Sequence, residues 1–108
     1  MNQKVSIIIP NWNGLELLKK NFYSVYESVK LHNSENEIII VDNGSNDKSI
    51  DFIKKNFPDV KVIKLKENKG FGYACNIGVK YCKNKIFILL NNDVKVDKNF
   101  ISPLLKHF

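Results

Sequence analysis

The sequence predicts a three-layer α/β fold, in which helices cover both faces of a mostly parallel sheet. Three apolar runs of strand length, at residues 7–9, 38–41 and 87–90, each end in a polar cluster. Helix-length patterns separate these runs, and strands joined by such crossovers lie parallel. Because the carboxyl ends of parallel strands share one edge of a sheet, we expect the polar clusters to form one ligand-binding crevice there.

The first three elements are predicted from changes in apolar spacing. Residues 5–9 form a near-continuous apolar run, which indicates a strand covered on both faces. From Leu15 onwards, apolar side chains recur every three or four residues, which predicts an amphipathic helix that ends near residues 32–33. Residues 37–41 form the second predicted strand.

The next two elements are short. A six-residue turn cluster at residues 42–47 precedes a helix marked by Ile50 and Ile53, and Pro58 stops that helix. Residues 60–65 mix alternating apolar positions with charge, so this third strand is expected at an edge of the sheet.

The remaining elements complete a repeating strand and helix order. Residues 68–72 indicate a loop, residues 73–82 a third helix, and residues 86–90 a fourth strand. Right-handed crossovers then predict a Rossmann-like sheet with strand order 3-2-1-4, which reverses between strands 1 and 4. At that reversal, Trp12 and Asp93 would face each other across the crevice.

A fourth helix is predicted near the end of the sequence. Ser102 is expected to cap a helix with Pro103 in its first turn, where no backbone donor is needed. A helix this short is marginal by itself. We therefore expect residues 1–108 to be a half-domain from the amino-terminal part of a longer protein. The alternative is a compact small domain that uses the helix as a lid on its core.

Length and hydropathy limit the class of protein. At 108 residues and 44% apolar content, the chain can form one domain with a single core. Its apolar stretches are strand-sized, and the first strand pattern begins almost at once. We therefore expect neither a signal peptide nor a membrane span, and a cytoplasmic location.

The charge pattern disfavours nucleic-acid binding. The net charge of +6 comes from 17 basic residues, all of them lysine. Guanidinium groups are the usual bidentate readers of bases and phosphates, so we expect no nucleic-acid partner. Scattered lysines are typical of a solvated surface, and they leave open a weak peripheral contact with anionic lipid at the cytoplasmic face of a membrane.

The cysteines and histidines show no metal-binding pattern. Cys75 and Cys82 lie seven positions apart in one predicted helix, about 10.5 Å along its axis, which is beyond disulfide reach. His32 and His107 stand alone, so a zinc site is not expected.

The polar clusters offer what a nucleoside diphosphate requires. An indole such as Trp12 can stack on a base, and a carboxylate such as Asp42 can accept from the imide N–H of uracil or thymine. Amides such as Asn92 suit ribose hydroxyls. Mg²⁺ and Mn²⁺ are often held by one or two carboxylates together with phosphates, so Asp93 alone would suffice as their protein anchor.

Four ordered motifs give the chain a resemblance to a known enzyme family. They are VSIIIPNWNG at residues 5–14, VDNGSND at 41–47, NKGFG at 68–72 followed by NIG at 76–78, and LLNND at 89–93. In order and spacing they resemble the donor-binding half of family 2 glycosyltransferases, which have the GT-A fold. The resemblance implies sugar transfer from a nucleotide diphosphate sugar to a saccharide or lipid-linked acceptor, in the synthesis of a polysaccharide, such as one of the cell wall, or of a glycoconjugate.

The resemblance also implies site residues. Trp12 would lie beside the base and Asp42 would accept from its imide, with Asn92 toward the ribose and Asp93 toward the cation, Mg²⁺ or Mn²⁺. The implied nucleotide-binding set is Pro10, Trp12, Asn13, Asp42, Asn43, Asn68, Gly70, Asn76 and Asn92, and the implied metal residue is Asp93. Inverting displacement is implied, with its general base in an acceptor-binding half beyond residue 108. No catalytic base is therefore expected within this chain.

Two departures from the family pattern affect the expected donor. Cys75 stands where many relatives have arginine, which removes a phosphate or base contact unless a lysine supplies it. Asn91 and Asn92 replace acidic residues and lower the expected metal affinity. These variants are more similar to a rhamnosyltransferase-like branch, which often uses deoxythymidine diphosphate sugars, so the expected donor is a UDP- or dTDP-sugar.

Plainer interpretations of the same residues remain open. Asp42 and Asp93 could close turns through their own hydrogen bonds, and Trp12 could be a packing residue. A non-catalytic nucleotide-binding or regulatory module is the alternative function. A receiver-like signalling domain is disfavoured, because the first strand ends in Pro10-Asn11 rather than in an acidic pair.

Overall fold

A computed structural model describes residues 3–107, without the side chain of His107. The expectation that His107 takes part in no zinc site therefore concerns a side chain outside the described part of the chain. The strands are β1 (Val5–Asn11), β2 (Glu37–Asp42), β3 (Lys61–Lys64) and β4 (Ile86–Leu89). The helices are α1 (Leu15–His32), α2 (Ser49–Asn56), α3 (Phe71–Tyr81) and α4 (Ile101–Leu104), and a 3₁₀ turn follows at Leu105–His107.

The four strands form one parallel sheet in the order β3-β2-β1-β4, which confirms the predicted topology and the edge position of β3. The register pairs Asn11 with Asp42 at the ends of β1 and β2, and Ile8 with Leu89 near the end of β4. The loops that follow these three strands therefore emerge at the same edge of the sheet.

Helices pack on both faces of the sheet, as predicted. The larger core lies under α1 and α2 and includes Phe22, Ile53 and the inward residues of β1 and β2. The smaller core lies under α3, where Ala74 packs on Ile8 and its neighbours in the sheet. The two cores bury successive residues of β1 on opposite faces, which explains the near-continuous apolar run in that strand.

α3 lies unusually close to the central strand at Gly78. A Cβ atom at this position would overlap with Cγ2 of Ile8 and would lie 3.3 Å from Cγ2 of Val41. Both of these residues are fully buried. The close approach of α3 to the sheet therefore requires glycine at position 78.

Two helix starts differ from the prediction. α3 begins at Phe71 rather than Tyr73, because Gly70 adopts a φ of +91° and turns the chain directly into the helix. α4 begins at Ile101, and no side chain caps it, so the prediction that Ser102 is the cap is wrong. Ile101 is buried in the larger core, and the helix that includes it begins two residues before Pro103.

Two further observations concern the thiols and the membrane. Cys75 and Cys82 are free thiols, and burial raises the pKa of the Cys75 thiol. Among residues 3–107, no helix combines the length and apolar composition that crossing a membrane would require.

Candidate functional site

A cleft of about 290 Å³ lies at the edge of the sheet where β1, β2 and β4 end. Residues from four separate segments line it: the end of β1 with the start of α1, the loop after β2, the start of α3, and the loop after β4. The lining residues are Pro10, Asn11, Trp12, Leu17, Asn43, Asn68, Phe71, Asn91, Asn92 and Asp93. The predicted crevice is therefore present, and it joins residues up to 83 positions apart in the sequence.

Three apolar side chains in this cleft are exposed to solvent. Trp12 and Phe71 are each 55% exposed, and Leu17 is also exposed. Large apolar groups that could be buried in a core are here held at a concave surface, where a flat apolar ring could cover them. They form the apolar part of the site.

Asn43 supplies a polar group whose orientation the backbone fixes. Its Oδ1 accepts from the backbone N–H of Lys69 at 3.0 Å, and its Nδ2 donates to the carbonyl of Gly70 at 3.1 Å. These bonds tie the loop after β2 to the segment that leads into α3. The side chain thus reaches the cleft with a defined donor side and a defined acceptor side.

Asp42 lies beneath the cleft and does not line it. Its Oδ1 accepts from Asn11 Nδ2 at 3.1 Å and from Ser45 Oγ at 2.6 Å, and its Oδ2 accepts from the Ser45 backbone N–H at 3.1 Å. The residue is 1% exposed. In this structure Asp42 therefore organises the loop that presents Asn43, as the turn-closing interpretation anticipated.

The loop after β2 also holds the start of α1. Asn13, at a φ of +48°, accepts through Oδ1 from the backbone N–H of Asn46 at 2.8 Å. Asp47 accepts from the N–H of Leu15 at 3.1 Å and from the N–H of Ser49 at 3.0 Å. Burial alone would raise the pKa of Asp47, but the hydrogen bonds from the Ser49 hydroxyl and from the N–H groups of Ser49 and Leu15 outweigh it and lower the pKa. An ionised Asp47 thus bridges the N-termini of two helices.

The loop after β4 carries the amides and the carboxylate of the cleft. Asn92 donates from Nδ2 to Asn11 Oδ1 at 2.8 Å, which ties this loop to the end of β1. Asp93 is exposed and supplies the one carboxylate among the cleft-lining residues. Asn91 and Asn92 line the same wall.

The predicted residues fall into three groups. Lining the cleft are Pro10, Trp12, Asn43, Asn68, Asn92 and Asp93. Asp42, Asn13 and Gly70 lie behind the wall and bond to residues of the cleft or of its supporting loops. Asn76 is exposed on α3 and is not among the lining residues. The roles of all ten in ligand binding stay predictions.

Sequence reasoning missed four lining residues. Phe71 belonged to a quoted motif, but its assignment to a loop hid its exposed position at the start of α3. Asn91 also belonged to a motif. Asn11 belonged to the first motif and to the polar cluster after the first strand but was given no role, and Leu17 gave no local signal.

The donor groups of the cleft bear on whether it suits a divalent cation. Within the described part of the chain, no three His, Cys, Asp or Glu side chains lie close enough together to hold a metal ion by themselves. Asp93 and the neighbouring amide oxygens are hard ligands of the kind that Mg²⁺ and Mn²⁺ prefer. One carboxylate with phosphates and water is a common arrangement for such cations. The chemistry of these donors therefore suits metal binding that requires a diphosphate.

The sequence of this chain is similar to those of known proteins. Residues 6–108 match the protein family described as Glycosyl transferase family 2. The poly(ribitol-phosphate) β-N-acetylglucosaminyltransferase TarP of Staphylococcus aureus is 33% identical over 108 residues, which are 97% of this chain and 33% of TarP. The chain spans about a quarter to a third of the length of the curated relatives that it matches.

Solved structures with the same fold include two glycosyltransferases. Residues 1–349 of TarS from Staphylococcus aureus, in complex with UDP-GlcNAc, have a TM-score of 0.81 and 22% identity, over 94% of this chain and 30% of that solved chain. The mannosyltransferase PcManGT of Pyrobaculum calidifontis, in complex with GDP-Man and Mn²⁺, has a TM-score of 0.80 and 19% identity, over 92% of this chain and 30% of its own. These likenesses establish the GT-A fold. With the match over residues 6–108, they lead to one conclusion: the chain belongs to glycosyltransferase family 2.

Proposed function

We propose that this chain is the donor-binding half of an inverting, metal-assisted glycosyltransferase that transfers a sugar from a nucleotide diphosphate sugar to an acceptor hydroxyl. The observation that carries the proposal is the single cleft in which an aromatic pair, several amides and one carboxylate converge. That set matches the base, ribose and pyrophosphate of one ligand. The match to the family over most of the chain supports the same reaction class.

The apolar side of the cleft suits the base. Trp12 and Phe71 offer exposed rings for stacking, and Asn43, which lines the cleft, keeps a second hydrogen on Nδ2 and a second lone pair on Oδ1 beside its two bonds to the backbone. Uracil and thymine both present an imide N–H beside a carbonyl, so a UDP- or dTDP-sugar is the proposed donor. The predicted contact from Asp42 to the imide would have to use the remaining lone pair of Oδ2, in a residue that is 1% exposed and does not line the cleft. We therefore propose Asn43 for that contact and Asp42 as its support.

The polar side of the cleft suits the diphosphate. We propose that Asn92 binds the ribose and that Asp93, with help from Asn91, holds Mg²⁺ or Mn²⁺ against the pyrophosphate. Such a cation, when bound, neutralises charge that develops on the leaving diphosphate. Asp93 is in this account the residue that orients the diphosphate and fixes the direction in which it departs.

The acceptor chemistry is proposed to lie outside this chain. The acceptor oxygen forms a bond to the anomeric carbon while the bond from that carbon to the phosphate oxygen breaks, and the nucleoside diphosphate leaves with the electron pair. The acceptor proton passes to a general base, which we place in an acceptor-binding half beyond residue 108. The isolated chain is therefore expected to bind nucleotide and to transfer little or no sugar.

Two further assignments follow from the family. TarP and poly-β-1,6-N-acetyl-D-glucosamine synthase are relatives named for polysaccharide or wall polymers. We propose a similar saccharide or lipid-linked acceptor here, used in the cytoplasm or at the cytoplasmic face of the membrane, in a rhamnosyltransferase-like branch. The second candidate function is a non-catalytic nucleotide-binding module. It is favoured only by the replacement of acidic residues at Asn91 and Asn92.

A thermal-shift panel tests the proposal. The chain is heated with uridine, thymidine, guanosine and cytidine diphosphates, each with and without Mn²⁺. A ligand at one hundred times its dissociation constant stabilises by about 2.7 kcal/mol, which gives a measurable rise in melting temperature. We expect the largest rise with uridine or thymidine diphosphate and Mn²⁺. No rise with any diphosphate would contradict the proposed function, and binding without turnover by a longer protein would favour the non-catalytic module.

A further inference from the structure

A continuous chain of side-chain hydrogen bonds joins the loop after β2 to the loop after β4. Asp42 Oδ1 accepts from Asn11 Nδ2 at 3.1 Å, and Asn11 Oδ1 accepts from Asn92 Nδ2 at 2.8 Å. Asn11 is 2% exposed and also donates to Ser49 Oγ at 3.0 Å. This one buried amide thus contacts the supports of both the base side and the diphosphate side of the cleft.

The carboxylate of Asp42 determines how each amide in this series of hydrogen bonds is oriented. The carboxylate of Asp42 can only accept, so Asn11 must turn its Nδ2 toward Asp42 and its Oδ1 toward Asn92. Asn92 must then meet Asn11 with its own Nδ2. The oxygen of the Asn92 amide is left for the cleft. An oxygen acceptor can bind a ribose hydroxyl or a hard cation, whereas an NH₂ group could bind neither a cation nor a hydroxyl proton.

Gly14 shows that the hydrogen bond between Asn11 and Asn92 leaves no spare room. A Cβ atom at position 14 would overlap both Asn11 Oδ1 and Asn92 Nδ2. The first residue before α1 is therefore compatible with this hydrogen bond only while it lacks a side chain.

We propose that Asn11 is a positioning residue of the donor site: it orients Asn92 so that the Asn92 carbonyl oxygen, and with it the segment that carries Asp93, faces the ribose and diphosphate. The inference rests on the proposed function. It concerns how this chain builds the site, and it assigns to Asn11 a role that depends on both ends of its amide.

The test compares two affinities in each variant. One is the affinity for the nucleoside diphosphate with Mn²⁺, and the other is the affinity for the matching nucleoside monophosphate without metal, both by calorimetry. Asn11→Ser keeps a small polar group whose hydroxyl ends one bond short of both amide atoms, and Asn11→Ala removes the polar group, so each variant loses the bonds to Asp42 and Asn92. We expect each to reduce the ratio of the two affinities by about tenfold, equivalent to about 1.4 kcal/mol.

Ser49→Ala is the matched control. It removes the hydrogen bond that Asn11 donates to Ser49 Oγ and the one that Ser49 Oγ donates to Asp47, but it leaves the bonds of Asn11 to Asp42 and Asn92. It should lower the melting temperature and leave the affinity ratio unchanged. A merely structural role for Asn11 predicts that Asn11→Ser behaves as Ser49→Ala does, and that result would overturn the proposal. In the double variant with Asn92→Ala, Asn11→Ser should cause no further loss of the ratio.

A second readout separates this inference from the proposed function. The side-chain amide protons of Asn92 should exchange slowly with solvent in the parent chain and in Ser49→Ala, and quickly in Asn11→Ser, as measured by NMR without any nucleotide. If the parent chain binds no nucleotide, the proposed function fails, and this exchange experiment still decides whether Asn11 positions Asn92. Equal exchange in the parent and in Asn11→Ser would refute the positioning role.

Discussion

Replacing Asp93 by alanine should abolish the part of nucleotide binding that depends on Mn²⁺. Asp93 is the one carboxylate among the residues that line the cleft, so the variant leaves the cation with amide and phosphate oxygens. We expect the affinity for the diphosphate with Mn²⁺ to fall by about tenfold or more, equivalent to at least about 1.4 kcal/mol. Calorimetric titration with and without Mn²⁺ measures this loss directly.

Asp97→Ala is the control for this experiment. Asp97 is an exposed aspartate four positions later, and its backbone carbonyl, which the substitution keeps, accepts from Ser28 Oγ at 3.2 Å. It does not line the cleft. The control should retain the response to Mn²⁺, and the binding of metal-free nucleotide should change little in either variant. Asp93→Ala with an undiminished response to Mn²⁺ would show that the cation is held elsewhere.

The largest loss of stability is expected from Gly78→Ala. The new methyl group would overlap Cγ2 of Ile8, a fully buried β-branched side chain in the central strand that has no room to move. Overpacking of this kind costs about 1–3 kcal/mol in the free energy of unfolding. Urea denaturation, with the midpoint and slope fitted together, gives the change.

Gly72→Ala, in the same helix, is expected to stabilise the protein. Nothing lies within 4 Å of a Cβ atom at position 72. Alanine in place of an unconstrained helical glycine is expected to raise the free energy of unfolding by about 0.5–1 kcal/mol. A stabilising effect of Gly78→Ala as large as that of Gly72→Ala would contradict the close packing of α3 on β1.

The topology was predictable because local signals and sheet geometry agree. Apolar runs placed all four strands, and crossover handedness gave their order, which the structure confirms. The end of β1 was harder to place. Pro10 lacks a donor and Asn11 is polar, so the predicted strand stopped at Ile9, yet both continue the register with β2. The polar atoms of Asn11 are satisfied by distant residues, and no local pattern reveals that.

The candidate site was predictable only as a set of strand ends. The motifs indicated that Trp12, Asn43, Asn92 and Asp93 share an edge, and all four line the cleft. They did not indicate that Asp42 accepts hydrogen bonds from Ser45 and Asn11, because those bonds depend on the conformation of the loop. Phe71 was missed for a related reason: its exposure follows from the backbone turn at Gly70.

The central claim is that one cleft holds the base and the metal-bound diphosphate together, and NMR of the ¹⁵N-labelled chain tests it most directly. The indole N–H of Trp12 gives a single probe, since the chain has one tryptophan. On addition of uridine or thymidine diphosphate with Mn²⁺, we predict that this indole signal shifts and that paramagnetic broadening is strongest at residues 91–93. An indole signal that does not move, or broadening centred at the opposite edge of the sheet, would contradict the account.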